Sequence, residues 1–481
     1  MEIARGLCPE RGVVGRIERF PPSDLTSRNL PSFCAKGGRA SHSRGGKALQ
    51  ESQKPPRVVG PVGATLMSIN GMIGAGIFAL PALLHAEVGN FAPWLFLIFG
   101  LLFSASILIS ARLSNMFRSS GGPQLWSQAA FGPLVGFLVG WVMVLAMAAG
   151  RAATLYVLVS YLAIIFPVFE EPLARGLALA FLLAAITGII ISGMKNSVGS
   201  LAVGTALKLT PILLLCGVAY ASGGIATEFT LPNFGAFESV ALLVYFAFSG
   251  ANNSSYSAGE LKNPRRDLPM TMLGSLGLII VFYMAVQWAY IAAGAPQSEG
   301  DATPLAAAAE AVMGNTGMLL LSLAAIFSIA TNALAFFIAG PRVVFAMADR
   351  GLLPASFAHV SPRLETPDRA VILFSAIVAL MLASGAFTFL ATVTSLGAQL
   401  VTLLIVGSFA VLMRRADDRH DGRLAVYWWP VMVVCAGFAV FTIIQAPASA
   451  FALLAVLLVV GTGLYFVARR GETHVPEPEF D

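Results

Sequence analysis

From about residue 58 onward, apolar runs of about 20 residues with few charges follow one another, separated by short segments rich in Lys, Arg, Asp and Glu. A helix rises about 1.5 Å per residue, so each run is long enough to cross the roughly 30 Å hydrocarbon layer of a bilayer. A water-soluble globule is excluded by the same numbers, since 57% of the 481 residues are hydrophobic and only 11% are charged. The expected fold class is an all-α membrane protein. Twelve transmembrane helices are expected, at about 59–84, 91–117, 133–166, 173–193, 198–222, 235–257, 271–294, 316–347, 370–387, 390–413, 425–445 and 448–468.

Charge is distributed unevenly between the connecting segments. Arg118, Lys195, Arg265, Arg350, Arg414 and Arg469 fall after even-numbered spans, whereas Glu87, Glu170, Glu299 and Glu310 fall after odd-numbered ones, with Arg175 the basic exception. The positive-inside rule then places the even-numbered loops and both termini in the cytoplasm. Residues 1–56 are rich in Arg, Ser, Gly and Pro and contain no apolar stretch of signal-peptide length, so a disordered cytoplasmic tail is expected there.

Two spans contain interruptions. Gly71-Met72-Ile73-Gly74-Ala75-Gly76-Ile77-Phe78 lies midway along the first run, and Phe248-Ser249-Gly250-Ala251-Asn252-Asn253-Ser254-Ser255 lies within the sixth. Glycine lowers the cost of unwinding a helix, and backbone groups freed at bilayer depth persist only where they line a cavity and meet a ligand or ion. Close packing of small residues explains either stretch alone. Their recurrence after five spans in opposite sense instead suggests an inverted repeat. The expected organisation is a first repeat over 57–230, a second over 231–415, and two further helices with a cytoplasmic tail over 416–481.

Three blocks resemble the amino acid–polyamine–organocation superfamily of permeases, which share the leucine-transporter-like fold. They are Gly71 to Pro81 (GMIGAGIFALP), Phe246 to Pro269 (FAFSGANNSSYSAGELKNPRRDLP) and Gly340 to Pro354 (GPRVVFAMADRGLLP) with Thr366-Pro367 following. The resemblance implies a secondary amino acid transporter of the cell inner (plasma) membrane that works by alternating access. Family members often carry an aromatic residue and an acid just after the sixth-helix glycine, where this chain has Ala251 and Asn252.

The chemistry expected at the breaks follows from the two charges of an amino acid. A new helix N-terminus at Gly74, Ala75 and Gly76 offers N–H groups and a positive dipole end to the carboxylate. Carbonyls freed at Ile73, Phe246, Ala247 and Ser249 accept from the ammonium through charge-assisted hydrogen bonds. The same matching puts Phe248 and Asn252 beside the substrate, with Phe248 and Tyr245 either closing over it or simply packing. Without carboxylates at the breaks, neutral L-amino acids are expected rather than arginine or polyamines.

Lys208 stands ten residues into the fifth span, about 15 Å deep. An ionisable group there is a functional candidate, and the resemblance implies a proton-coupling lysine that contacts the first helix; a permanent brace is the alternative. Arg151, deep in the third span and permanently charged, is expected to brace the first helix or to meet a carboxylate. Ser328, Thr331 and Asn332 recur at helical spacing on the eighth span, as ion-site residues facing the first break or as interhelical glue.

Proton symport of a neutral amino acid is thus the leading expectation; an ion-independent exchanger of this fold and a cationic amino acid or polyamine transporter are the alternatives. No GxxxxGK[ST] loop, HExxH or paired intramembrane carboxylates are present, and Cys8, Cys34, Cys216 and Cys435 lack metal-site spacing. The chain is therefore expected not to be an enzyme and to need no cofactor or metal. Its expected partners are a small amino acid, protons and membrane lipid, with no nucleic acid and no obligatory protein partner.

Overall fold

In the computed structural model the first apolar run is cut in two by Ile73 and Gly74, which leave helix α1 (Pro61–Met72) ending where α2 (Ala75–Val88) has yet to begin. The structure describes residues 61–117, 122–192, 198–224, 230–251, 264–295, 303–361, 364, 366–383, 387–417 and 427–470. Contacts divide the chain into residues 1–53 and 54–481, and all described residues belong to the second unit.

The described secondary structure is entirely helical. After α2 come α3 (Ala92–Ser114), α4 (Gly122–Phe131), α5 (Pro133–Ile165), α6 (Pro172–Ile191), α7 (Val198–Gly223) and α8 (Phe234–Ala247). They are followed by α9 (Pro264–Ala293), α10 (Pro304–Phe337), α11 (Ala339–Asp349), α12 (Asp368–Ala383), α13 (Phe387–Asp417), α14 (Trp428–Ile444) and α15 (Ala448–Arg469). Proline at the first or second position starts α3, α5, α6 and α10, where its missing N–H and fixed φ cost least. Asn233 caps α8, its side-chain oxygen accepting from the Ala236 N–H at 2.7 Å.

Among the described residues, seven segments are long and apolar enough to cross a membrane, and Lys208–Gly223, Phe234–Ala247 and Trp428–Ile444 form shorter apolar helices. Burial separates inner from outer elements. In α5, 72% of the most apolar stretch is buried, against 17% in α6. Helix α5 is thus the central post, with α4, α10, α12 and α13 packed around it, while α6 turns Leu173, Leu177 and Phe181 outward. A second layer forms where α9 packs against α1, α3 and α7.

Three local features differ from the sequence reading. The segment between the second and third spans contains α4, with Leu125, Trp126, Ser127 and Gln128 all buried. Its ten residues are too short to be recognised by length. Tertiary contacts hold it: Ser127 and Ser408 hydroxyls lie 3.1 Å apart, and Arg415 donates to the Ala129 and Ala130 carbonyls at its C-terminal end. The eighth apolar run begins earlier than expected, at Pro304, kinks at Gly314 where φ is 67°, and is interrupted again at Ile338. Phe387, assigned by hydropathy to the end of the ninth span, starts α13 instead.

The last helix is fastened to the post by Trp141, whose Nε1 donates to the Leu457 carbonyl at 2.9 Å. Gly461 permits that approach, because a Cβ there would lie 2.1 Å from Trp141 Nε1. Gly461→Ala is expected to destabilise the fold by about 1–3 kcal/mol through overpacking, read as a lower apparent Tm of the purified protein.

Candidate functional site

The break at Ile73 and Gly74 is enclosed rather than open to lipid. Ile73 is 1% exposed and Ala75 2%, and the first turn of α2, through Phe78, is buried. Gly74 precedes α2 without any side-chain cap, so the N–H groups of this first turn have no intrahelical acceptor. A buried, uncapped helix N-terminus is a receptor for an anion.

The end of α8 lies against this break. The helix stops at Ala247 and turns through Phe248 to Ala251, with Ser249 N–H donating to the Phe246 carbonyl at 3.1 Å and Ala251 N–H to that of Phe248 at 3.0 Å. A Cβ on Gly250 would lie 2.2 Å from the Gly71 carbonyl, and one on Gly76 would lie 3.2 Å from Ala247 Cα. Glycine at both positions therefore sets how closely the two interruptions approach. Asn252 lies outside the described residues.

Three side chains tie the interruptions together. Tyr283 on α9, fully buried, directs its hydroxyl to the Met72 carbonyl at 2.6 Å and the Ala247 carbonyl at 3.2 Å, one from each break. Asn332 on α10 donates to the Asn70 carbonyl at 2.8 Å and reaches that of Gly71 at 3.4 Å. Lys208 on α7 is 1% exposed and donates from Nζ to the Ile73 carbonyl at 3.4 Å. The only ion pair among the described residues joins His359 and Asp368, so the Lys208 ammonium has a carbonyl but no described carboxylate beside it.

The remaining expected residues divide between packing and a cavity. Phe248 is fully buried among Phe96, Phe103 and Tyr283, with ring centroids 5.9 to 6.3 Å away. Thr331 donates within its own helix to the Phe327 and Ser328 carbonyls, while the buried Ser328 hydroxyl has no described partner. Arg151 does not hydrogen-bond the first helix among the described residues. Its guanidinium lies over the Phe336 ring at 5.4 Å and borders a cavity of about 100 Å³ that Tyr245 and Ser249 also line. Of the carbonyls expected to receive an ammonium, those of Ile73, Phe246 and Ala247 already accept from Lys208, Ser249 N–H and Tyr283 respectively. The Ile73 and Ala247 carbonyls retain a second lone pair for a further donor, whereas that of Phe246 also accepts from the Phe248 N–H.

Sequence reasoning missed Tyr283, Tyr161 and Gln287. Tyr161 donates to the Phe78 carbonyl at 2.9 Å and Gln287 to that of Pro81 at 3.0 Å, so they anchor α2 as Tyr283, Asn332 and Lys208 anchor α1. A hydrogen-bonding side chain midway along an apolar span was the available signal, though it names no partner.

Residues 59–467 match the family profile described as Amino acid permease, and the chain belongs to that family. It is a multi-pass membrane transporter, not an enzyme. Its relatives include the methylthioribose transporter of Bacillus subtilis (strain 168), 25% identical over 88% of this chain and 95% of that protein. The branched-chain amino acid permease BcaP of the same organism is 27% identical over 86% of this chain and 93% of its own length. The vacuolar cationic amino acid transporter 2 of Arabidopsis thaliana is 27% identical over 64% of this chain and 52% of its length.

Removing the hydroxyl that bridges the breaks takes a partner from two buried carbonyls. Tyr283→Phe is expected to cost about 1–3 kcal/mol, seen in thermal denaturation of the purified protein. An unchanged midpoint would show that the bridge contributes nothing.

Proposed function

We propose that this permease carries neutral L-amino acids across the plasma membrane by proton symport, through twelve spans arranged as two inverted repeats of five plus two further helices, with both termini cytoplasmic. The observation that carries the reading is the uncapped N-terminus of α2, buried and faced by the turn that ends α8. It presents N–H groups to the substrate carboxylate at Gly74, Ala75 and Gly76, and second lone pairs of the Ile73 and Ala247 carbonyls to the ammonium. The described break residues include no carboxylate, which favours a neutral side chain over a cationic one. The cationic alternative draws on the names of the plant relatives and predicts that arginine competes better than every neutral amino acid.

Lys208 supplies the coupling in this reading. When protonated it donates to the Ile73 carbonyl and holds the end of α1 at the break; when neutral it grips that carbonyl less, so protonation biases α1 between two positions. Lys208→Ala is expected to abolish the dependence of uptake on an imposed pH gradient in proteoliposomes, and Lys208→Arg, permanently charged, to stop net uptake. Gradient-dependent accumulation by Lys208→Ala would leave the lysine as a brace.

Bulk at the break tests the carboxylate site separately. Gly76→Leu should reduce binding of a neutral amino acid by at least about tenfold, since even a Cβ there meets Ala247 at 3.2 Å. Wild-type uptake by a folded Gly76→Leu protein would move the carboxylate elsewhere.

A further inference from the structure

The cavity beside the second break combines a permanent positive charge with a lining that holds no acid. Its walls include Gly150 and Arg151 of α5, Tyr245 of α8, Ser249 of the following turn, Phe336 of α10 and Thr394 of α13. None of the residues from Ile73 to Gly76 is among the described residues that line it. Phe246, Ala247 and Gly250 lie toward the first break, whereas Tyr245 and Ser249 border the cavity. At about 100 Å³ it exceeds several-fold the 10–15 Å³ that one water needs.

Arginine cannot shed its proton here, and its five N–H donors require acceptors. Phe336 covers the guanidinium at 5.4 Å, which supports the charge but accepts no conventional hydrogen bond. Arg151 Nη1 is buried and has no hydrogen-bond partner among the described residues. The described acidic side chains are absent from the cavity lining, and none forms an ion pair with Arg151. Arg151 is only partly buried, so the rest of its guanidinium borders the cavity, and an anion there would meet a charge that no described acid neutralises. Ser249, exposed on its turn, also lines this space and carries a hydroxyl.

We propose that this cavity is an anion site in which Arg151 takes a carboxylate-sized anion through its fork of N–H donors. The anion is either the substrate's own carboxylate, held at a stage of passage distinct from the first break, or a free small anion. The first source rests on the amino acid permease reading above; the second does not. In both cases occupation neutralises the charge between α5 and the turn after α8.

Thermal-shift and calorimetric titrations of the purified protein in sodium gluconate, at constant ionic strength, test the site with sodium acetate, sodium chloride, leucine and leucinamide. Acetate or chloride raising the midpoint of the wild type, with affinity lost at least about tenfold in Arg151→Gln, identifies a free anion. Leucine binding weakened as much in Arg151→Gln, with leucinamide not bound by the wild type, identifies the substrate carboxylate. Equal responses of wild type and Arg151→Gln, within about twofold, overturn the proposal, as does a wild type that responds to none of the probes. Should Arg151→Gln not fold, Ala398→Leu decides: it fills the cavity while keeping the arginine, and is expected to lose the response, whereas a wild-type response overturns the site. An acetate or chloride response that depends on Arg151 in a protein that neither binds nor transports amino acids would refute the permease reading and leave the anion site standing.

Discussion

Lipid offers no hydrogen bonds, so a helix interrupted at bilayer depth must find partners for its freed backbone groups inside the protein. Around Ile73 and Gly74 the structure meets that demand with side chains from three other helices. Tyr283 takes up the Met72 carbonyl, Asn332 those of Asn70 and Gly71, and Lys208 that of Ile73. All of these satisfy carbonyls at the end of α1. The opposite side of the break, the N–H groups that open α2, receives no side-chain cap. That asymmetry gives the break its polarity: carbonyls on its α1 side accept from protein side chains, while the N–H groups that open α2 meet no side-chain cap.

The two halves of the broken helix are also held by different sets of neighbours. Helix α1 is fastened through Tyr283, Asn332 and Lys208, whereas α2 is fastened through Tyr161 to Phe78 and through Gln287 to Pro81. Pro81 itself removes one helical N–H donor within α2. With the two segments anchored separately, contacts on one side of the break can change without releasing the other. Gly250, packed on the Gly71 carbonyl, brings the end of α8 into the same unit.

The two deeply placed cations solve their burial differently. Lys208 is a compact donor on a flexible stem and rests on one carbonyl at the break, while Arg151 is a planar cation set over an aromatic ring and bordering a cavity. One donates to backbone at the break; the other, permanently charged, has an aromatic face and a cavity beside it. Neither meets a carboxylate among the described residues.

Hydropathy was sufficient to make the chain helical and membrane-bound, because apolar length is a one-dimensional property that each segment carries by itself. The first break was likewise legible in Gly71 to Gly76, since glycine marks where a helix can unwind cheaply. Lys208 and Arg151 stood out because charge inside an apolar run is rare. What these residues touch was decided only by tertiary structure. Arg151, expected to brace the first helix or to meet a carboxylate, lies over Phe336 and makes no described hydrogen bond to the first helix, while Tyr283, unremarkable in its apolar run, joins the two interruptions through one hydroxyl. Helix α4 escaped notice because its burial comes from α5 and α13 rather than from its own length. A sequence reports the polarity of each residue, but hydrogen bonds between segments as far apart as Met72 and Tyr283 depend on how the helices rotate and cross, and that is fixed only when they pack.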